Sequence, residues 1–211
     1  MASWDKHQHQ HQTSVFRISA ALIAASLLAF SGMVSAAENN VGAGQSEADA
    51  QGFDDLYSAL KQAKDEATAR QIENRIWQRW MSAPDSRTGD LVREAMDRRG
   101  VYDFAGAKTL LDEAVARSPD YAEAYNQRGF VLFLQDDYDG ALADVDRAIE
   151  REPRHFAAMA GRAMILMRQG RHQLAQTQLR EAVAIHPFLK ERGLIVGEPA
   201  KPLQTLPGVD L

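Results

Sequence analysis

Four short constellations in this chain carry residue types that could do chemistry. Gln135, Asp137, Asp139, Gly140 and Asp146 approach a calcium loop, in which alternate residues supply hard oxygen ligands and a carboxylate closes the shell at the twelfth place. The first of these is Gln rather than Asp, so the loop starts one charge short. Gly106-Ala107-Lys108-Thr109 approaches a phosphate-binding loop, but that mechanism needs Gly immediately before Lys and a preceding strand, and neither is present. His155, His172 and His186 lack the four-residue helical spacing that points two imidazoles at one zinc ion. Asp144 and Asp146 could pair for acid–base work only if they faced one cleft. The chain has no cysteine, which removes thiolate nucleophiles, thiolate metal sites and disulfides. No nucleophile elbow or zinc-protease motif occurs. The expectation is a protein with no catalytic residues, no metal and no cofactor.

The elements that must position these residues follow one fixed period. Pro119, Pro153 and Pro187 mark it, together with Ala107, Ala141 and Ala175; Ala114, Ala148 and Ala182; Leu111, Val145 and Leu179; and Phe104, Tyr138 and His172. Each unit holds two stretches with apolar residues at helical spacing, divided by a polar turn such as Gln135-Asp136-Asp137. Small residues on both helices, Gly129 or Ala163 facing Ala141 or Ala175, let two backbones approach, while Tyr125, Leu132 and Val145 fill the space beside them. Each proline removes a donor and pushes its predecessor out of the α region, so the second helices are expected to end near Ser118, Glu152 and His186.

The middle unit resembles the tetratricopeptide repeat, a helical hairpin of about 34 residues. Tyr125, Gly129, Leu132, Ala141, Val145, Ala148 and Pro153 fall on that family's large, small and proline positions. The third unit agrees through Met159, Ala163, Leu166, Ala175, Leu179 and Ala182, and the first agrees best in its second helix. Glu94, Arg128 and Arg162 stand where an apolar residue is usual. The resemblance implies an all-α fold, a right-handed stack of helical hairpins, with repeats at 88–121, 122–155 and 156–187. Upstream, Leu56, Leu60 and Ala63 and then Ile72, Ile76 and Trp80 predict a degenerate hairpin over 53–87, with Trp77 and Trp80 as capping bulk. Residues 37–52 read as a disordered linker, and 188–211 as a short cap followed by an extended tail with Pro199, Pro202 and Pro207.

The same resemblance implies that first helices line a concave face. Met96, Asn126, Phe130, Phe133, Met164, Met167 and Arg168 are then the candidate partner-binding residues, with Met and Phe supplying apolar area and Asn126 and Arg168 reaching a peptide backbone or carboxylate. The alternative is that the Phe and Met residues pack between hairpins. Some tetratricopeptide domains grip a terminal carboxylate with Lys, Arg and Asn. Here Phe130 stands where Asn is usual, and Ala157 and Gly161 offer no charge, so that mode is not expected. The Pro-rich tail from Glu198 to Leu211 could itself occupy the groove.

At the other end, Lys6 and Arg17 precede an uncharged apolar run from Ile18 to Val34, followed by small residues, the pattern of a secretory signal peptide over 1–36 cleaved between Ala36 and Ala37. A retained membrane anchor is the competing reading. His7, His9 and His11 fall within that segment. Formal net charge is −5 for the whole chain, and cleavage would make it −6 by removing Asp5, Lys6 and Arg17. Such a balance lacks the basic excess that neutralises phosphates and argues against nucleic acid. The reading is a periplasmic adaptor or scaffold for a protein or peptide of the cell envelope; the alternative is a cell-envelope hydrolase or an accessory regulator of one.

Overall fold

The computed structural model describes residues 52–197, which form eight α-helices, one short 3-10 helix and no strand. The signal segment, the linker to Gln51 and the tail from Glu198 lie outside the described residues. Among the described residues no helix is long and apolar enough to cross a membrane.

Three helical hairpins carry the repeat period. The first pairs α3 (Ser86–Gly100) with α4 (Phe104–Arg117), the second α5 (Ala122–Leu134) with α6 (Tyr138–Arg151), and the third α7 (Phe156–Arg168) with α8 (His172–Ile185). The second helices have Ser118, Glu152 and His186 as their C-cap residues, each directly before its proline. The alanines of the period, Ala107, Ala141 and Ala175 with Ala114, Ala148 and Ala182, have no exposed surface, so the small residues sit where backbones meet.

The turns repeat as faithfully as the helices. Tyr102, Asp136 and Gly170 each take a left-handed backbone, with φ of 64, 60 and 75°. The amide that follows reaches back to close the first helix: Asp103 to Arg98 (2.9 Å), Asp137 to Leu132 (3.0 Å) and Arg171 to Leu166 (2.8 Å). This is the Schellman closure, which satisfies carbonyls that a helix end otherwise leaves unpaired. Asp103 and Asp137 then cap the second helices by accepting the amides of Gly106 and Gly140, both at 2.9 Å. α3 starts at Ser86, slightly ahead of the repeat phase, because Asp85 is its cap and accepts the Thr88 amide at 3.0 Å.

Ahead of the repeats, α1 (Phe53–Lys61) and α2 (Glu66–Trp80) pair with each other. A hairpin stacked in chain order would lie against α3 and α4; α1 instead packs on α8, the last helix of the array. Leu56, Tyr57, Leu60, Ala69, Ile76 and Trp80 share one core with Phe156, Met159, Ala160, Ala182 and Leu189. The chain then runs through 81–85 to begin α3, with Met81 and Ala83 packed on the first repeat's core. At the other end a 3-10 helix (Lys190–Leu194) leads into an extended stretch. Gln176 holds that stretch by its backbone, donating to the Leu194 carbonyl (3.0 Å) and accepting the Val196 amide (2.9 Å).

Candidate functional site

The seven residues expected to bind a partner lie on the first helices α3, α5 and α7, and Asn126 and Met164 among them are buried. Phe130 lies half-buried on α5 with the Arg99 guanidinium 4.7 Å above its ring. Phe133, one turn on, is half-buried with its ring 5.8 Å from Tyr138. Met164 is buried on α7, Met167 is half-buried against the core of the third hairpin, and Met96 is half-buried against that of the first. Arg168 is exposed and donates to the Tyr138 hydroxyl from Nε (3.0 Å) and Nη2 (2.8 Å), with Asp136 at 3.5 Å. The C-terminal halves of the first helices therefore carry half-buried Phe and Met side chains, three of them packed on the core of their own hairpin, with Arg99 over Phe130 and Arg168 bonded to Tyr138.

The N-terminal halves are different. Asn126 is buried and commits its amide to Glu123, at 3.3 and 3.2 Å from the two carboxylate oxygens. Glu123, 1% exposed, also accepts from Gln127 and from His155 Nε2 at 2.9 Å. His155 is fully buried, and its Nδ1 accepts the Ala158 amide (3.2 Å), capping α7; Nε2 is accordingly the nitrogen that carries the proton. Trp80 stacks on this imidazole with ring centroids 3.8 Å apart and contacts Phe156 at 4.7 Å. Arg99 donates to Gln127, which joins the buried network to Phe130, and burial pushes its guanidinium down to about 10, so it stays cationic at neutral pH.

Sequence reasoning placed Asn126 on this face but missed Glu123, Gln127, Arg99, His155 and Trp80 as one unit. Glu123 and Gln127 carry a local signal, being one helical turn apart. His155 carries a weaker one: it falls one repeat period after Tyr121, at a position that is buried in both units. Nothing local marks Trp80 as its partner.

The other constellations are engaged elsewhere. Asp137 caps α6, Asp139 accepts from Gln169 at 2.8 Å, and Asp146 pairs with Arg162 at 2.6 Å, so the calcium-like oxygens diverge. Asp144 turns to Arg128, away from the partner of Asp146. Lys108 pairs with Asp112. His155 is buried ahead of α7 and His186 is buried after α8, while His172 is exposed. Among the described residues no group of three or more His, Cys, Asp or Glu is arranged to hold a metal ion.

Known proteins resemble the repeat region of this chain. A tetratricopeptide repeat family profile matches residues 92–148 and 131–189. A TPR repeat-containing protein of Rhizobium etli is 34% identical over 106 residues, 49% of this chain, and the chain spans about half (52%) of that relative's length. Among solved structures, the TPR2B domain of yeast Sti1 in complex with pHsp70 is similar with a TM-score of 0.47 and 22% identity, over 48% of this chain and 81% of that one. MamA is similar with a TM-score of 0.45 and 17% identity, over 66% of this chain and 81% of that one. With the periodic core, the three Schellman turns and the family match over the same residues, residues 92–189 of the chain are tetratricopeptide repeats.

Proposed function

We propose that this protein is an adaptor of the cell envelope that holds a protein or peptide partner on the strip formed by Met96, Phe130, Phe133 and Met167, with Arg99 and Arg168 at its edges. The observation that carries the reading is the half-burial of Phe130 beneath Arg99. An aromatic face and a cation are presented together, partly desolvated, on a stack of hairpins that offers an open surface. Rigid aromatics and arginine supply most of the binding energy at protein interfaces. The envelope setting rests on the uncharged run Ile18–Val34 and the small residues ending at Ala36.

Crosslinking in living cells followed by mass spectrometry tests the reading. One stoichiometric envelope protein should be captured by the wild type and lost in Phe130→Ala/Phe133→Ala, and the mature chain should begin at Ala37. Capture unchanged by those substitutions, or turnover of cell-wall fragments by the purified protein without any partner, would overturn it.

A further inference from the structure

The seam between the α1–α2 hairpin and the last repeat is built like an interface. Its centre is apolar: Leu56, Leu60, Ile76 and Trp80 on Phe156, Ala160 and Ala182. Two ion pairs at its edge share one polarity, with the acid on the hairpin and the base on the repeat body. They are Asp54 with Arg154 (2.7 Å) and Glu66 with Arg192 (3.7 Å), and inside them the buried His186 Nε2 lies 3.5 Å from a Glu73 carboxylate oxygen. The Arg154 guanidinium also lies 4.1 Å from the Tyr57 ring. A dry anchor inside a charged rim is the anatomy of recognition between two proteins.

The fit is incomplete. His186 Nδ1 is buried without a partner, and the Tyr57 hydroxyl and Trp80 indole nitrogen face each other short of a full hydrogen bond. Buried polar atoms left unpaired weaken the contact that hides them. The hairpin is tied to the repeats covalently only through 81–85, and its seat is formed by α7 and α8 of the last repeat. The last repeat is thus covered by the α1–α2 hairpin of the same chain.

We infer that the face formed by α8 and the start of α7 is a second docking site, for an amphipathic helical segment with Leu and Trp anchors edged by carboxylates, and that the α1–α2 hairpin is its resident, displaceable occupant. The inference rests on the adaptor reading and adds the chemistry of a partner to it. A tethered occupant lowers the apparent affinity of any competitor by the fraction of time the site stands open.

The test is fluorescence anisotropy with a labelled peptide of residues 53–80 added to the full chain. Leu56→Ala/Leu60→Ala weakens the tethered hairpin while leaving the acceptor face intact, and should bind the peptide at least about tenfold more tightly than wild type. Asp54→Lys/Glu66→Lys changes only exposed groups and should act in the same direction without endangering the fold. Arg154→Glu should abolish binding, as should Lys at positions 54, 66 and 73 of the peptide. Equal binding to all chains, or binding to none, overturns the inference. A concentration-dependent wild-type dimer with exchanged hairpins, seen by light scattering, also overturns it, because the face then serves a second copy. Phe130→Ala/Phe133→Ala should leave peptide binding unchanged, so failure of this site and failure of the groove are read separately.

Discussion

Arg128 of α5 grips Asp144 of α6 with two nitrogens, Nε at 2.6 Å and Nη2 at 2.8 Å, and sends its third to Asp112 of the preceding hairpin at 3.0 Å. One repeat later Arg162 does the same, reaching forward to Gln178 of its own hairpin (3.0 Å) and back to Asp146 of the one before (2.6 Å). The arginines that displace an apolar residue from the repeat pattern are therefore polar clasps, each tying a hairpin internally and to its predecessor. Glu94 has no preceding repeat to reach and pairs within its own helix with Arg98.

Arg128→Ala should cost about 3 kcal/mol, because it strands Asp144, whose side chain is only 5% exposed, in a nearly dry site. Arg128→Met/Asp144→Leu, which removes both charges and keeps the volume, should fall within about 1 kcal/mol of wild type. Urea midpoints at pH 7 check both. A double variant as unstable as the single would show that the ion pair itself, not the orphaned carboxylate, sets the cost.

Tyr102 holds φ of 64° and is 81% exposed, so it carries the backbone cost with only an edge contact to the Phe104 ring, 6.0 Å away, in return. Tyr102→Gly should raise stability by about 1 kcal/mol. Gly170→Ala, at the same place in the third turn with φ of 75°, should lower it by a similar amount, about 1 kcal/mol. Opposite shifts in thermal midpoint are the readout.

Two helical glycines should respond oppositely to alanine. At Gly129 an added Cβ would stand 3.0 Å from Val145 Cγ1 and 3.2 Å from the Ala141 carbonyl oxygen, and Gly129→Ala should cost about 1–2 kcal/mol. At Gly161 the nearest such atom is Val145 Cγ1 at 3.8 Å, and Gly161→Ala should gain about 0.5–1 kcal/mol from helix propensity. Chemical denaturation of the two variants decides.

Asp103 is held below its ordinary value by the Arg98 hydrogen bond and the Gly106 amide, and Asp65 and Asp85 by the amides and hydroxyls of Thr68 and Thr88. A folded value below the unfolded one means stability that is fully present above the ordinary 3.8 and is lost as pH falls through the lowered values. The thermal midpoint should therefore drop steeply below about pH 4, and Asp103→Asn, which still accepts the Gly106 amide, should flatten that drop.

Glu191 has the reverse sign. Burial raises its carboxyl above the ordinary range, with Glu73 adding to the rise, so its contribution is present at low pH and is lost as pH rises through the raised value. Glu191→Gln should stabilise the protein at pH 7 and leave it unchanged below about pH 4. A variant that stabilises equally at both would locate the effect in packing rather than charge.

The sequence by itself determined whatever recurs with the repeat period. Alanine against alanine, proline after each second helix and a short turn between helices are local rules with one geometric solution, and they fixed the three hairpins and their end points. It also determined the small and large positions of the core, because a backbone approach cannot tolerate a side chain in its way. Only the tertiary structure decided three further matters. Arg128 and Arg162 looked like departures until Asp112, Asp144 and Asp146 came within reach from neighbouring helices. Asn126 looked like a free ligand until Glu123, itself bonded to His155, took up its amide. Trp80 looked like a cap, and its stacking on His155, which caps α7, is invisible to any repeat pattern. Each of these joins residues distant in sequence through side-chain charge and ring contact, and periodicity records only what neighbouring hairpins must share.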